Sequence, residues 1–233
     1  NLKCYDPTFA YELAVIIKDG MHRMYENQED IFYYLTVMNE SYKMPPMPEG
    51  VEEGILKGIY KYSLSIKKSK LKVHLFGSGT ILNEAIRAQK ILEEKYNVSA
   101  DVWSVTSYKE LYMDATSAER VNMLNPDKKI IPYISKVLEN ETGVFIAASD
   151  YLKALPATIT KWVPGEFYFL GTDGFGRSDG RYQLREFFEV DYKYIVVSSL
   201  YALSKENKFK TCEVEKAIQD FGLNPNKPDP VKV

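Results

Sequence analysis

From Ile59 onward the hydrophobic spacing of this chain switches repeatedly between a period of two and a period of 3.6, and few architectures accommodate that. Ile59 to Ile66, Leu71 to Phe76, Ala100 to Val105, Gly143 to Ala148 and Phe167 to Leu170 are short apolar, β-branched or aromatic runs of the kind that form strands. Between them apolar residues recur at helical spacing. Ile81, Ala85, Ile86, Ile91 and Leu92 predict one side of a helix from a Thr80 cap to about Tyr96, and Ser107 with Glu110 three residues on is a capping-box start for a second. Further helices are expected over 134–138, 151–162 despite Pro156, 181–188, 192–205 and 211–221. Strands alternating with helices predict an α/β fold, three layers α/β/α about a mostly parallel (mixed) sheet.

The first 50 residues follow a different rule. Asp6 is positioned to cap a helix with Pro7 at its first position, and Phe9, Leu13, Ile16, Ile17 and Met24 continue the helical period. Ile31 to Met38 is apolar and aromatic throughout, the pattern of a strand covered on both faces. One helix and one strand cannot close a core, so this unit must lean on something else. An apolar helix face left bare from Phe9 to Met24 would be expected to recruit a second copy of the chain. Three prolines in Met44-Pro45-Pro46-Met47-Pro48-Glu49-Gly50 forbid helix and ladder alike and predict an extended connection between two units. A chain opening on Asn1 rather than Met reads as a piece of something longer.

Composition narrows the functional classes. Thirty Lys and Arg against 32 Asp and Glu leave a formal charge of −2, which gives no general drive toward nucleic acid or anionic membrane. Apolar stretches such as Ile31 to Met38 and Tyr194 to Leu203 are too short to cross a bilayer, so no membrane span is predicted. Two cysteines, Cys4 and Cys212, build no disulfide framework and fit a reducing compartment, with the cytoplasm as the expected location. With the two histidines, His22 and His74, they offer no metal-ligand spacing.

Two motifs invite chemistry, and each has a plainer reading. Gly77-Ser78-Gly79 ends a strand and opens a helix, where amide groups can cradle a phosphate, but Leu82 stands where a dinucleotide fingerprint needs its third glycine. Gly176-Arg177-Ser178-Asp179-Gly180 matches the G-x-S-x-G pattern of a hydrolase elbow, yet both histidines precede Ser178. A structural turn is therefore expected at each, with Gly171, Gly174 and Gly176 permitting positive φ or close packing. The carboxylate pairs Glu52-Glu53 and Glu93-Glu94 are expected on solvated surfaces. No catalytic, cofactor-binding or metal-binding residue is assigned.

Three longer stretches carry more information together: Tyr5-Asp6-Pro7-Thr8-Phe9-Ala10-Tyr11-Glu12-Leu13-Ala14-Val15-Ile16, then Asn39-Glu40-Ser41-Tyr42-Lys43-Met44-Pro45-Pro46-Met47-Pro48-Glu49-Gly50, and Leu170-Gly171-Thr172-Asp173-Gly174-Phe175-Gly176-Arg177-Ser178-Asp179. With Arg120 to Leu124 after Val105 to Ser107, their order resembles the C-terminal part of the homodimeric, thiamine-diphosphate-dependent decarboxylating component of bacterial pyruvate dehydrogenase complexes. The resemblance implies that residues 1–48 end a pyrimidine-binding domain and include the linker. It implies that residues 49–233 are a transketolase-type C-terminal domain. It further implies an enzyme that decarboxylates pyruvate on thiamine diphosphate with magnesium and passes the acetyl unit to a lipoyl group of the dihydrolipoyl acetyltransferase component. The family's Gly-Asp-Gly motif with a following Asn is absent here, so neither cofactor is expected on this piece alone, and its role is structure and dimer contacts. A transketolase or other 2-oxo acid dehydrogenase is the second reading, and a non-catalytic α/β binding module the third.

Overall fold

The structure, a computed structural model, describes residues 1–233. Two sheets are present. The smaller pairs β1 (Leu2–Tyr5) with β2 (Phe32–Leu35) in parallel, and α1 (Ala10–Met21) connects them. The larger holds β3 (Tyr60–Ser63), β4 (Lys72–Gly77), β5 (Ser99–Ser104), β6 (Val144–Ala148) and β7 (Phe167–Leu170), in the order β3-β5-β4-β6-β7. All its pairings are parallel except that of the edge strand β3 with β5. The mixed, mostly parallel sheet expected from the sequence is thus present.

Alternation along the strands builds two cores. Val73 and Leu75 of β4, Val102 of β5 and Ile146 of β6 face α3 (Leu82–Tyr96) and α8 (Tyr192–Lys205). Phe76, Trp103 and Phe145 face the other way, toward α4 (Tyr108–Leu124) and α5 (Tyr133–Val137). Helices on both faces make this a three-layer α/β/α arrangement. Ser107 caps α4 by accepting from the Glu110 amide, as the sequence predicts. The other half of a capping box is missing, because the Glu110 carboxylate pairs with Lys3 instead.

The N-terminal region departs from expectation in five respects. Asp6 does not cap α1: Phe9 is the N-cap, and Glu12 reaches back to accept from the Thr8 and Phe9 amides. A π-helical turn, His22–Glu26, prolongs the helix. β1 carries no signal, since four residues, Lys3 among them, are too short to show a period. β2 is not covered on both faces, for Phe32 and Tyr34 remain 53% and 60% exposed. The apolar side of α1 is covered in part: Phe9 joins the main core and Ile16 packs with Tyr5, Ile55 and Tyr60, while Ile17 and Met21 stay exposed. The bare face expected to recruit a second copy is therefore absent over Phe9 and Ile16.

Met44 to Pro48 forms neither helix nor strand, as its prolines require, and α2 (Glu52–Lys57), unsignalled in the sequence, follows closely. Residues 151–162 make only α6 (Ala154–Ala157) and a 3-10 turn, Thr160–Trp162, since Pro156 removes a donor in mid-segment. The chain closes with α7 (Arg181–Phe187), α8 and α9 (Thr211–Asp220).

Candidate functional site

In the parallel part of the large sheet, β4 is central. The chain leaves β4 toward β5 and leaves β6 toward β7, in opposite directions. Carboxyl ends of strands at such a switch point open the crevice in which α/β sheets bind ligands. Gly77-Ser78-Gly79 borders it after β4, and Ser149-Asp150-Tyr151 after β6.

The chain itself fills much of this crevice. The Gly79 amide donates to the Asp6 carbonyl at 3.1 Å, and Thr8 Oγ1 donates to the Gly79 carbonyl at 2.6 Å. Residues 6–8 thus occupy the place a phosphate would take. Gly77 is required by packing, since a Cβ there would lie 2.6 Å from Leu82 Cα, and Gly79 by its left-handed φ of 53°. Thr80 is not a helix cap: it lies within a 3-10 turn, donates to Asp150 Oδ2 at 3.3 Å and accepts from Arg185 Nη2 at 3.2 Å.

A hollow of about 450 Å³ remains, walled by Asp6, Thr36, Met38, Ser78, Asp150 and Tyr151. Asp6 Oδ1 accepts from Thr36 Oγ1 at 2.6 Å and Tyr151 Oη at 2.7 Å. Burial pushes the Asp150 carboxyl above its ordinary value in spite of the Arg185 charge and the Thr80 hydrogen bond. Arg185 is itself held by both carboxylate oxygens of Glu40, at 3.2 and 2.5 Å. Two carboxylates and a filled amide turn make this hollow hostile to anions. The residues present do not fit a diphosphate.

A second cluster lies at the opposite, amino end of the strands. His74, Asp101 and Glu141 place ligand atoms within 4.8 Å of one another, a convergence that residues so far apart in sequence cannot advertise. Lysines occupy its centre. Lys61 lies 3.4 Å from Asp101 and 2.5 Å from Glu141, and Lys72 lies 3.3 and 2.9 Å from the same two. His74 is engaged at both nitrogens, Nδ1 accepting from Trp103 Nε1 and Nε2 donating to the Thr142 carbonyl, each at 3.2 Å. Burial lowers its pKa to about 4 against the opposing pull of Glu141. Burial would raise both carboxyls, yet the Ser65 amide and the lysines hold Asp101 below its ordinary value, and the lysines do the same for Glu141. A neutral histidine and four balanced charges form a structural box, and it does not fit a magnesium ion.

The remaining candidates are scattered. Ser178 is exposed in a loop spanning 171–180, too long for an elbow, and His74 is buried in the sheet. Gly171 and Gly174 are tightly packed in that loop, but Gly176 meets nothing within 4 Å and needs no glycine. His22 is exposed beside Glu26, Cys212 is exposed, and Cys4 is half-buried. Glu93, expected in solvent beside Glu94, is buried and accepts from Ser65 Oγ and the Ile66 amide. The residue the sequence hid most completely is Glu12. Fully buried, it accepts from Ser104 Oγ and Tyr60 Oη at 2.6 Å each, besides the two amides of its own turn.

A switch-point crevice in a mixed sheet with one antiparallel edge, closed by the chain's own N-terminal segment, defines a three-layer α/β domain of the transketolase kind. Solved transketolases share the fold: a variant from Pichia stipitis superposes with a TM-score of 0.58 at 14% identity, covering 90% of this chain and 26% of that one. The transketolase of Campylobacter jejuni gives 0.58 at 16% identity, covering 86% and 26%. The chain belongs to the transketolase-like C-terminal domain family, whose model matches residues 58–191, and a pyruvate dehydrogenase E1 component middle-domain model matches residues 1–45. Along 99% of its length it is 47% identical to the pyruvate dehydrogenase E1 component of Pseudomonas aeruginosa and 48% identical to that of Escherichia coli K12. It spans 26% of the length of each. The resemblance read from its motifs is borne out.

Proposed function

We propose that this chain is the C-terminal part of the decarboxylating component of a pyruvate dehydrogenase complex. The observation that carries the reading is identity near one half over the whole chain to such components, against 14 to 16% to transketolases of like fold. In that reading residues 1–48 close the middle, pyrimidine-binding domain and residues 49–233 form the C-terminal domain. The parent enzyme decarboxylates pyruvate on thiamine diphosphate with magnesium, as a homodimer, and delivers the acetyl unit to a lipoyl group on an acetyltransferase partner. This chain's own residues contribute structure: the filled Gly77 to Gly79 turn and the lysine-occupied His74 box leave the cofactor chemistry to other parts of the enzyme.

A chimera tests this. Replacing the matching stretch of the Escherichia coli component with these residues should yield a folded enzyme that releases carbon dioxide from pyruvate. A folded, dimeric chimera that binds cofactor but releases none would overturn the reading. The chain alone should show no saturable heat on calorimetric titration with micromolar thiamine diphosphate and magnesium, and a clear isotherm would overturn the structural role.

A further inference from the structure

The crevice hollow takes walls from both regions of the molecule, Asp6, Val37 and Met38 from the N-terminal unit and Ser78, Asp150 and Tyr151 from the large sheet. Two carboxylates line it and no basic side chain does. Arg185, which acts on Asp150 from behind Thr80, is shared with Glu40 at 3.2 and 2.5 Å and with Glu84 at 3.4 Å, so its charge is already engaged elsewhere. Each carboxylate is only half used within the chain. The Asp6 side chain accepts at Oδ1, from Thr36 and Tyr151, and the Asp150 side chain at Oδ2, from Thr80, which leaves one oxygen of each free. Ser78 adds an independent sign of a missing partner. It is 4% exposed and its hydroxyl makes no hydrogen bond in the chain, yet the unpartnered side-chain atoms sealed from water are only those on Tyr96, Tyr108 and Glu206. The Ser78 hydroxyl is therefore buried, unpaired and open to the hollow it lines.

We propose that this hollow binds a primary ammonium group carried on a short aliphatic chain, its N–H groups shared among Asp6, Asp150 and Ser78. The charge follows from two carboxylates whose attraction for a cation is strengthened by partial burial. The primary ammonium follows from counting: three acceptors are free, two carboxylate oxygens and a hydroxyl, and a primary ammonium has three donors. The aliphatic chain follows from the remaining walls, among them Leu35, Val37 and Met38, and from a volume of about 450 Å³ against roughly 30 Å³ for one water. A bare metal ion would leave those walls unused. Since its walls come from both regions, an occupant would bridge the N-terminal unit and the large sheet.

The test titrates the isotope-labelled chain with propylammonium chloride in exchange for sodium chloride, at constant ionic strength. Potassium, tetramethylammonium and 1-propanol are the other probes, and they lack in turn the aliphatic chain, the N–H groups and the charge. The Gly79 and Tyr151 amide resonances should shift and saturate at millimolar propylammonium, while the other three probes give no saturable shift there. The melting temperature should rise with propylammonium, because a ligand bound only by the folded chain stabilises it. Asp150→Asn, which removes the charge and keeps an acceptor for Thr80, should weaken binding about tenfold, and Ser78→Ala severalfold. Potassium or tetramethylammonium bound as tightly as propylammonium would overturn the ammonium recognition. No saturable shift with propylammonium, or a shift left unchanged by both substitutions, would overturn the site.

Discussion

Strand β2, Phe-Tyr-Tyr-Leu, and strand β6, Val-Phe-Ile-Ala-Ala, are both apolar runs after a helical stretch, yet they end in opposite surroundings. Every residue of β6 is buried, whereas β2 alternates between exposed and half-buried. The large sheet recruits helices from its own crossovers to both faces, and its central strands have neighbours on both edges. β2 has one strand neighbour, β1, and packs only its Tyr33 and Leu35 side inward, against a small cluster that includes Ile16 of α1. Apolar composition therefore states that a strand needs cover, and within these residues only the large sheet supplies it on both faces. The N-terminal unit survives through a seam to the large sheet: Asp6 N to the Thr106 carbonyl, Gly79 N to the Asp6 carbonyl, and Glu12 to Tyr60 and Ser104.

Cutting that seam is the severest way to separate the two regions. Glu12→Ala would leave Ser104, Tyr60 and two amides without their buried acceptor, and should cost about 3–5 kcal/mol in urea unfolding. A loss below about 1 kcal/mol would mean that backbone bonds and Phe9 hold the N-terminal unit by themselves. Next in size is the contrast between the strands. Ile146→Ala should cost about 2–5 kcal/mol by leaving a cavity between the sheet and α8, while Phe32→Ala should stay within about 0.5 kcal/mol. Equal losses would show that something covers β2 in solution, and sedimentation would tell whether that is a second copy.

Acid should weaken the large sheet before the small one. His74 is held neutral, with a pKa of about 4 against an ordinary 6.5, so the folded state takes up fewer protons than the unfolded chain between those values. Its contribution is full above about pH 6.5 and falls by at most about 3 kcal/mol as the pH drops to 4. Asp101 and Glu141, both depressed, act in the same direction near and below their ordinary range. Melting temperature against pH should show this slope, and His74→Gln should flatten it between pH 6.5 and 4. A slope unchanged in the variant would assign the acid sensitivity to other groups.

The smallest contrast lies within the 171–180 loop. Gly174 has a φ of 100°, and a Cβ there would sit 2.5 Å from the Pro230 carbonyl oxygen, so Gly174→Ala should cost about 1–2 kcal/mol. Gly176→Ala, facing open space at ordinary φ, should change stability by less than about 0.5 kcal/mol. Thermal melts of the two variants decide between them.

The larger region was largely legible in the sequence because its signals are local. Tyr192 to Lys205 is helical as predicted, Phe167 to Leu170 is a strand as predicted, and Ser107 caps its helix, since each depends on period or on a side chain three residues away. The failures share one cause. Asp6, Thr80 and Glu93 carry side chains suited to a helix cap or to solvent and are instead claimed by residues distant in sequence, while Glu12 serves the start of its own helix and Tyr60 and Ser104 across the fold as well. A side chain's local options are written beside it, but its distant partner is not.

Sequence by itself determined the alternation of strands and helices, the lack of helix or ladder at the three prolines and, through the order of its motifs, the family. Only the tertiary structure decided where the polar groups went. It placed residues 6–8 in the crevice, set lysines inside the His74 box, buried Glu12 among four donors and left the buried Tyr108 hydroxyl without a partner. Periodicity records which face of an element avoids water, and it is a property of neighbours in the chain. Satisfaction of a buried polar group depends on what the fold brings within about 3 Å of it, and no run of neighbouring residues contains that distance.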